Sequence, residues 1–216
     1  MIEHVYRRAS EARNVDAVIV ATDDRRIEQA VQRFGGVVRM TSATHKTGTD
    51  RVAEVIRTLP CDIVVTVQGD EPMIDPATIS SVVTPLLADT TVQMSTACCA
   101  LTEPSDYVNP HVVKVVRDRH GDALYFSRAA IPSGPGGPIF KHLGLYAYRR
   151  DFLLMFATLP QTPLELSESL EQLRALEHGY RIRTIETRDD SIGVDTPEDL
   201  ERARLKLQAL RAGEVA

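Results

Sequence analysis

The chain has 216 residues, 43% of them hydrophobic and 25% charged, enough for one large α/β domain or a domain with a smaller lobe. A formal net charge of −5 gives no basic field for nucleic acid, so an anionic ligand must be met by a few placed cations. No run reaches the ~18 apolar residues of a membrane-spanning helix. The three cysteines, Cys61 and the neighbours Cys98-Cys99, lack a Cys-x-x-Cys spacing and read as reduced core residues of a cytosolic protein.

In chain order, Ile2, Val5, Tyr6 and Ala9 fall at helical spacing and predict an amphipathic helix over 2–13. A buried strand follows over 17–21, with Thr22-Asp23 as its exit, then a helix over 24–34 stopped by Gly35-Gly36. That glycine pair follows a helix instead of a strand, so it caps a helix and is not a dinucleotide fingerprint. A short strand over 37–40, a polar loop over 41–48 and a helix over 49–58 come next. Ile63-Val64-Val65-Thr66-Val67 is an unbroken β-branched run, the sign of a strand buried on both faces of a parallel sheet, and a helix over 76–87 follows it. In the second half, strands over 93–101, 112–117, 123–127 and 142–148 come without a helix between each pair. This predicts antiparallel pairing or a mixed extension of the sheet, with a smaller lobe roughly over 93–150. Ser133-Gly134-Pro135-Gly136-Gly137-Pro138 has almost no side-chain area to bury and reads as a mobile loop. Helices over 150–157 and 164–178, a strand over 182–185 and a helix over 197–210 complete a single α/β domain, residues 1–216, on a mostly parallel sheet.

The β-branched run ends in Gln68-Gly69-Asp70-Glu71-Pro72, which delivers two acids to the carboxyl end of a strand. Ligands of open α/β sheets bind there, and Asp70 suits Mg²⁺, which takes one or two protein carboxylates and fills its shell with water and phosphates. The plainer alternative is that both acids solvate a turn and charge the N-terminus of the next helix. In Thr47-Gly48-Thr49-Asp50-Arg51 a helix N-terminus and an arginine fork together favour phosphate or a base carbonyl, unless Thr49 is a plain cap and Arg51 is solvated. Thr196-Pro197-Glu198-Asp199 is a complete helix start by itself, so Asp195 is not needed as its cap and can face Asp70 as a second metal carboxylate. An Asx-type turn at Asp195 is the alternative. Strand alternation puts His142, Gly144 and Tyr146 on one face, a polar patch with a glycine floor, to which Arg128 can add a carboxylate-binding fork. With Leu166, Leu170 and Leu173 marking the buried stripe of the helix over 164–178, Glu171 and Gln172 flank it and can meet sugar hydroxyls. Each of the residues of this patch and helix, taken singly, is more often a surface or satisfied residue.

Six ordered blocks then form one pattern. They are His45-Lys46-Thr47-Gly48-Thr49-Asp50-Arg51, Val67-Gln68-Gly69-Asp70-Glu71-Pro72, Tyr125-Phe126-Ser127-Arg128, Lys141-His142-Leu143-Gly144-Leu145-Tyr146, Leu170-Glu171-Gln172-Leu173-Arg174 and Gly193-Val194-Asp195-Thr196-Pro197-Glu198-Asp199-Leu200. Together they resemble the 3-deoxy-manno-octulosonate (Kdo) cytidylyltransferases over nearly the whole chain. The resemblance implies a Rossmann-like nucleotide-binding sheet with a smaller mixed dimerising lobe, in a cytoplasmic homodimer that binds neither nucleic acid nor membrane. It implies attack of the anomeric hydroxyl of Kdo on the α-phosphate of CTP, giving CMP-Kdo and pyrophosphate for lipopolysaccharide assembly. It also implies Mg²⁺ on Asp70 and Asp195, Arg51 and Gln68 on the cytidine side, and Arg128, His142, Tyr146, Glu171 and Gln172 around the sugar acid, the cations meeting its carboxylate. An amino-substituted Kdo is the rival substrate, and a silent binding or dimerisation module the rival function.

Two departures accompany the resemblance. The run 132–138 is unusually rich in Gly and Pro. The family pattern also begins with a strand and a loop of the type Ala-Arg-x-x-Ser-x-Arg-x-Pro-x-Lys that grips the triphosphate, whereas this sequence opens at the helix that follows. The expectation is that Met1 is an internal codon or a truncation, and that the 216-residue form is poorly stable and nearly inactive unless another segment fills the missing strand's place.

Overall fold

A computed structural model describes residues 1–134, 137–188, 191, 193–194 and 196–212, the side chains of 210–212 excepted. The first half alternates α1 (Ile2–Ser10), β1 (Val20–Thr22), α2 (Arg25–Arg33), β2 (Val38–Met40), α3 (Gly48–Ile56), β3 (Ile63–Thr66) and α4 (Pro76–Ala88). Then come β4 (Met94–Ala100), α5 (Pro104–Val108), β5 (Lys114–Arg117), β6 (Ala123–Ser127), β7 (Phe140–Arg149) and α6 (Arg150–Phe156). Helices α7 (Pro163–Glu168) and α8 (Gln172–Glu177), strand β8 (Ile182–Thr187) and α9 (Pro197–Ala212) follow. The loop read over 133–138 includes residues 135 and 136, which lie outside the described residues.

Local chemistry sets the helix ends. Asp24 caps α2 by accepting the Arg26 N–H at 2.7 Å, and Gly35 ends it at a φ of 78°, a conformation that costs glycine little. Asp75 caps α4 in the same way, with Pro76 at its first position.

The chain builds a mixed α/β sheet in the order β6-β5-β7-β4-β8, with β3 also on β7, while β1 and β2 pair parallel in a sheet of two. β3, β4 and β5 all run antiparallel to β7, and β8 runs parallel to β4, so most strands share one direction and β7 and β6 oppose it. One expectation is corrected. Among the described residues β3 has β7, an antiparallel strand, as its ladder partner, and of its residues Val64 alone is buried, the others half-buried. A β-branched run reports packing on its two faces and says nothing of which way the neighbour runs. Both faces of β3 do meet apolar core, Val64 in one cluster, Ile63 and Val65 against the other.

β7 positions everything that follows. One of its edges pairs with β4, while the other is shared, Tyr146–Arg149 going to β3 and Phe140–Lys141 to β5. β3 reaches this fork by its carboxyl end and β5 leaves it by its amino end, so the stretch from His142 to Leu145 lies where the sheet divides. The register against β4 also slips between Thr96 and Ala97, whose successive partners are Tyr146 and Leu143, so Gly144 and Leu145 are inserted. An insertion of two residues preserves the alternation that an insertion of one would invert. Leu143, Leu145 and Ala147 therefore face one core cluster, and Tyr146 and Tyr148 the other.

The helix expected over 164–178 is instead two. Ser169 adopts a φ of 54°, and the Leu170 N–H returns to the Glu165 carbonyl at 3.2 Å, closing α7 before α8 begins. Leu170 and Leu173 are buried as expected, but Leu166, which the unbroken pattern placed on the same stripe, is 61% exposed because the break rotates α7 away from it. All three cysteines are free thiols, Cys98 and Cys99 buried and Cys61 half-buried.

Candidate active site

The fork in the sheet gathers side chains from several elements. Gln68, just past the end of β3, lies over Gly144: a Cβ on that glycine would stand 3.6 Å from Gln68 Cγ. That is ordinary van der Waals contact, so the Gln68 side chain packs directly against the glycine floor. Two residues further, the Asp70 carbonyl accepts the Val194 N–H at 2.9 Å, and Ser191 donates to the Glu71 carboxylate. Ser191 and Val194 are therefore tied to the acidic strand end. Asp195, read as a second metal ligand, lies outside the described residues. Among the described residues no three His, Cys, Asp or Glu side chains stand together as a cage for a metal.

At the start of α3, Thr47 caps the helix by accepting the Asp50 N–H at 3.1 Å. Thr49 is buried and donates to Glu171 Oε2 at 2.5 Å, which joins this helix start to α8. Arg51 is not a solvated arginine. It donates to Thr41 Oγ1 at 2.6 Å and pairs with Asp23 at 3.2 Å, so it binds together the exits of β1 and β2. Neither partner was legible in the sequence, although Asp23 stands at a strand exit, the position at which such a partner is found.

The break at Ser169 puts Glu171 and Gln172 at the head of α8. Glu171 Oε1 and Gln172 Nε2 are sealed from solvent and have no hydrogen-bond partner. Burial raises the Glu171 carboxyl above its usual range, opposed by the hydrogen bonds of Thr49 and Thr47. Arg174 Nη2 stands 3.8 Å from Glu171 Oε1, near enough to attract it and too far to hydrogen-bond it. That arginine is committed to Glu165, which it grips at 2.8 and 2.5 Å in a buried pair. A buried acceptor and a buried donor without partners call for a further polar group, a water or a ligand, to satisfy them.

His142 and Tyr146 line the floor with ring centroids 5.4 Å apart, and Phe126 meets the His142 ring edge-on at 4.9 Å. Burial drives the His142 pKa down to about 3, so the ring is neutral at physiological pH and is not one of the cations expected to meet a carboxylate. Crowding by the surrounding rings, with a limited opening to solvent, is what removes its charge. Burial likewise raises the Tyr146 hydroxyl, with the Glu171 charge adding to it, so Tyr146 acts as a neutral donor.

Arg128 leaves β6 as expected, but two arms of its fork are already spent. Its Nε donates to the Glu168 carbonyl at 2.9 Å and its Nη1 to the Pro110 carbonyl at 3.0 Å. Its backbone is held as well, the N–H by Glu168 Oε2 at 2.9 Å and the carbonyl by Lys114 Nζ at 2.6 Å. Burial is the largest influence on Glu168 and acts to raise its pKa. The bonds from Arg128 N–H, Ser127 and Tyr125 and the charge of Arg128 together outweigh it and hold the carboxyl low. Arg128 is thus a placed cation with a fixed position and not a free fork.

The same architecture occurs in known proteins. A family model described as Cytidylyltransferase matches residues 1–185. The 3-deoxy-manno-octulosonate cytidylyltransferase of Geobacter metallireducens is 53% identical over 221 residues, spanning 96% of this chain and 87% of that protein. The protein of that name from Solibacter usitatus is 55% identical over 206 residues, spanning 94% and 82%. Among solved structures, a CMP:2-keto-3-deoxy-manno-octonic acid synthetase complexed with CTP matches with a TM-score of 0.91 at 44% identity, over 96% of this chain and 87% of that one. With identity above half across nearly its full length, this chain belongs to the cytidylyltransferase family, among the 3-deoxy-manno-octulosonate cytidylyltransferases.

Proposed function

We propose that this protein transfers the cytidylyl group of CTP to the anomeric hydroxyl of 3-deoxy-D-manno-octulosonate, releasing pyrophosphate and forming CMP-Kdo for lipopolysaccharide assembly. Beyond family membership, one observation carries the reading: Glu171 Oε1 and Gln172 Nε2 are buried without partners beside a glycine-floored patch, an acceptor and a donor that a polyhydroxylated acid would satisfy.

In this reading the sugar acid lies over Gly144, with hydroxyls toward Glu171, Gln172, Tyr146 and His142 and its carboxylate toward the Arg128 cation. Gln68 and Arg51 stand on the nucleotide side. The protein's part is to hold the anomeric oxygen in line with the α-phosphate, since transfer at phosphorus asks little covalent chemistry of side chains and much of orientation. The Thr49–Glu171 bond and the Glu165–Arg174 pair fix the sugar-facing groups before the ligand arrives. Asp70 and Asp195 are the residues assigned to Mg²⁺: their carboxylates are the hard donors this ion prefers, and an ion completed by water and phosphates needs no third acid. Bound there, it supplies charge neutralisation for the phosphates.

A homodimer belongs to the same proposal, because β6 closes one end of the sheet with Leu124 63% exposed, and light scattering tells one copy from two. No helix among the described residues is long and apolar enough to cross a membrane. Free thiols at every cysteine fit a reducing compartment such as the cytoplasm.

A pyrophosphate-release assay with CTP, Kdo and Mg²⁺, run beside a calorimetric titration of Kdo, tests the activity. Turnover is the expected result, whereas binding without turnover assigns a silent module. Asp70→Asn keeps the side chain's shape and loses its charge, so it should abolish Mg²⁺-dependent turnover with the fold intact. Near-normal rates at saturating Mg²⁺ overturn the metal assignment.

A further inference from the structure

We infer that Thr96 is a positioning residue of the sugar-acid site: it fixes the tautomer of His142, so that the ring meets its ligand as an acceptor for a hydroxyl. The inference deepens the function proposed above and rests on that reading of the site.

Thr96 is completely buried on β4, opposite the two residues inserted in β7. Its Oγ1 stands 2.7 Å from the Leu145 carbonyl, 3.3 Å from the Leu143 carbonyl and 2.9 Å from His142 Nε2. A threonine hydroxyl has one hydrogen, and a carbonyl can only accept it. The short contact with Leu145 takes that hydrogen. The insertion explains why it is needed there, because a bulge takes Leu145 out of the regular ladder with β4 and leaves its carbonyl to find a donor elsewhere. Oγ1 therefore turns a lone pair toward Nε2, and Nε2 must carry the imidazole proton. In a neutral ring the other nitrogen is then an acceptor.

His142 Nδ1 makes no hydrogen bond among the described residues and is not one of the sealed, unpartnered atoms, so it keeps some access to solvent and to a ligand. Phe126 and Tyr146 hold the ring plane, and burial keeps the ring neutral. His142 Nδ1 and Glu171 Oε1 are thus acceptors for a ligand, beside the donors Gln172 Nε2 and the Tyr146 hydroxyl. This arrangement orients a sugar acid with a hydroxyl at His142 and turns its carboxylate elsewhere, since an anion at Nδ1 would face a lone pair.

Nitrogen-15 NMR of histidine-labelled protein reads the tautomer directly. There are six histidines, and the His142 signals are those lost in His142→Gln. The expected wild-type ring carries its proton on Nε2. Thr96→Val removes the hydroxyl at constant shape and should shift the ring toward the Nδ1–H form and weaken Kdo binding about tenfold in calorimetry, with CTP affinity unchanged. Thr96→Ser should restore both. A wild-type ring protonated on Nδ1, a tautomer unmoved in Thr96→Val, or a Thr96→Ser protein that regains neither property overturns the inference. Should Thr96→Val fail to fold, the wild-type spectrum and Thr96→Ser still decide it. A wild-type protein that binds no Kdo defeats the proposed function instead, while the ring spectrum continues to judge the role of Thr96.

Discussion

Mild acid should weaken the fold through a single ring. His142 has a pKa of about 3 in the folded chain, depressed by burial, against ~6.5 in an unfolded one. Between these values the unfolded chain binds a proton that the folded chain refuses, so stability rises with pH across the window and is lost as pH falls through it. From pH 7 to pH 5 the unfolded imidazole goes from mostly neutral to almost fully protonated, which costs the folded state about 2 kcal/mol, with a ceiling of roughly 4–5 kcal/mol at the lower end of the window. Carboxylates held low in the fold, such as Asp24 beside Arg26 and Glu168 beneath Arg128, lose stability in the same direction but mostly at lower pH. The diagnostic quantity is therefore the difference between the wild type and His142→Gln in urea unfolding at pH 7, 6 and 5. With a slope of roughly 2 kcal/mol per molar urea, the wild-type midpoint should fall by about 1 M more than that of the variant. Parallel decline of the two midpoints would show that the ring titrates normally and would refute the argument from burial.

Two more outcomes follow from single side chains. Lys114 is wholly buried, and its ammonium donates to the carbonyls of Asn109, Val112 and Arg128 at 2.9, 2.6 and 2.6 Å, so Lys114→Met takes a donor from all three and leaves Asn109 with the Val112 N–H. It should cost about 3 kcal/mol or more in urea unfolding and also raise the Kdo requirement, because Arg128 loses its anchor, and a loss below about 1 kcal/mol would contradict this. Ser169→Gly should stabilise the protein by about 1 kcal/mol, since a left-handed φ of 54° strains serine and not glycine, and a lowered melting temperature would count against it.

Local patterns carried much of this molecule. The strand over Ala123–Ser127 was legible to the residue, since alternation between turn signals needs no partner to be recognised. Asp24, Gly35 and Pro76 mark helix ends because capping and backbone conformation act within a few residues. The alternation of His142, Gly144 and Tyr146 also survived, but only because two residues and not one are inserted in β7, which a single strand cannot reveal. Long-range partners decided the rest. β1 forms over Val20–Thr22 and not over 17–21 because β2 supplies its ladder there. The five-residue α5 was missed, being too short to show a helical period. Asp23 and Thr41 claim Arg51, and Glu168, forty residues on in the chain, takes the Arg128 N–H into its carboxylate. The charge of His142 is likewise a property of what surrounds it. A histidine's sequence neighbours cannot announce burial by Phe126 and Tyr146 or a hydrogen bond to Thr96, because those contacts exist only once β4, β6 and β7 have paired.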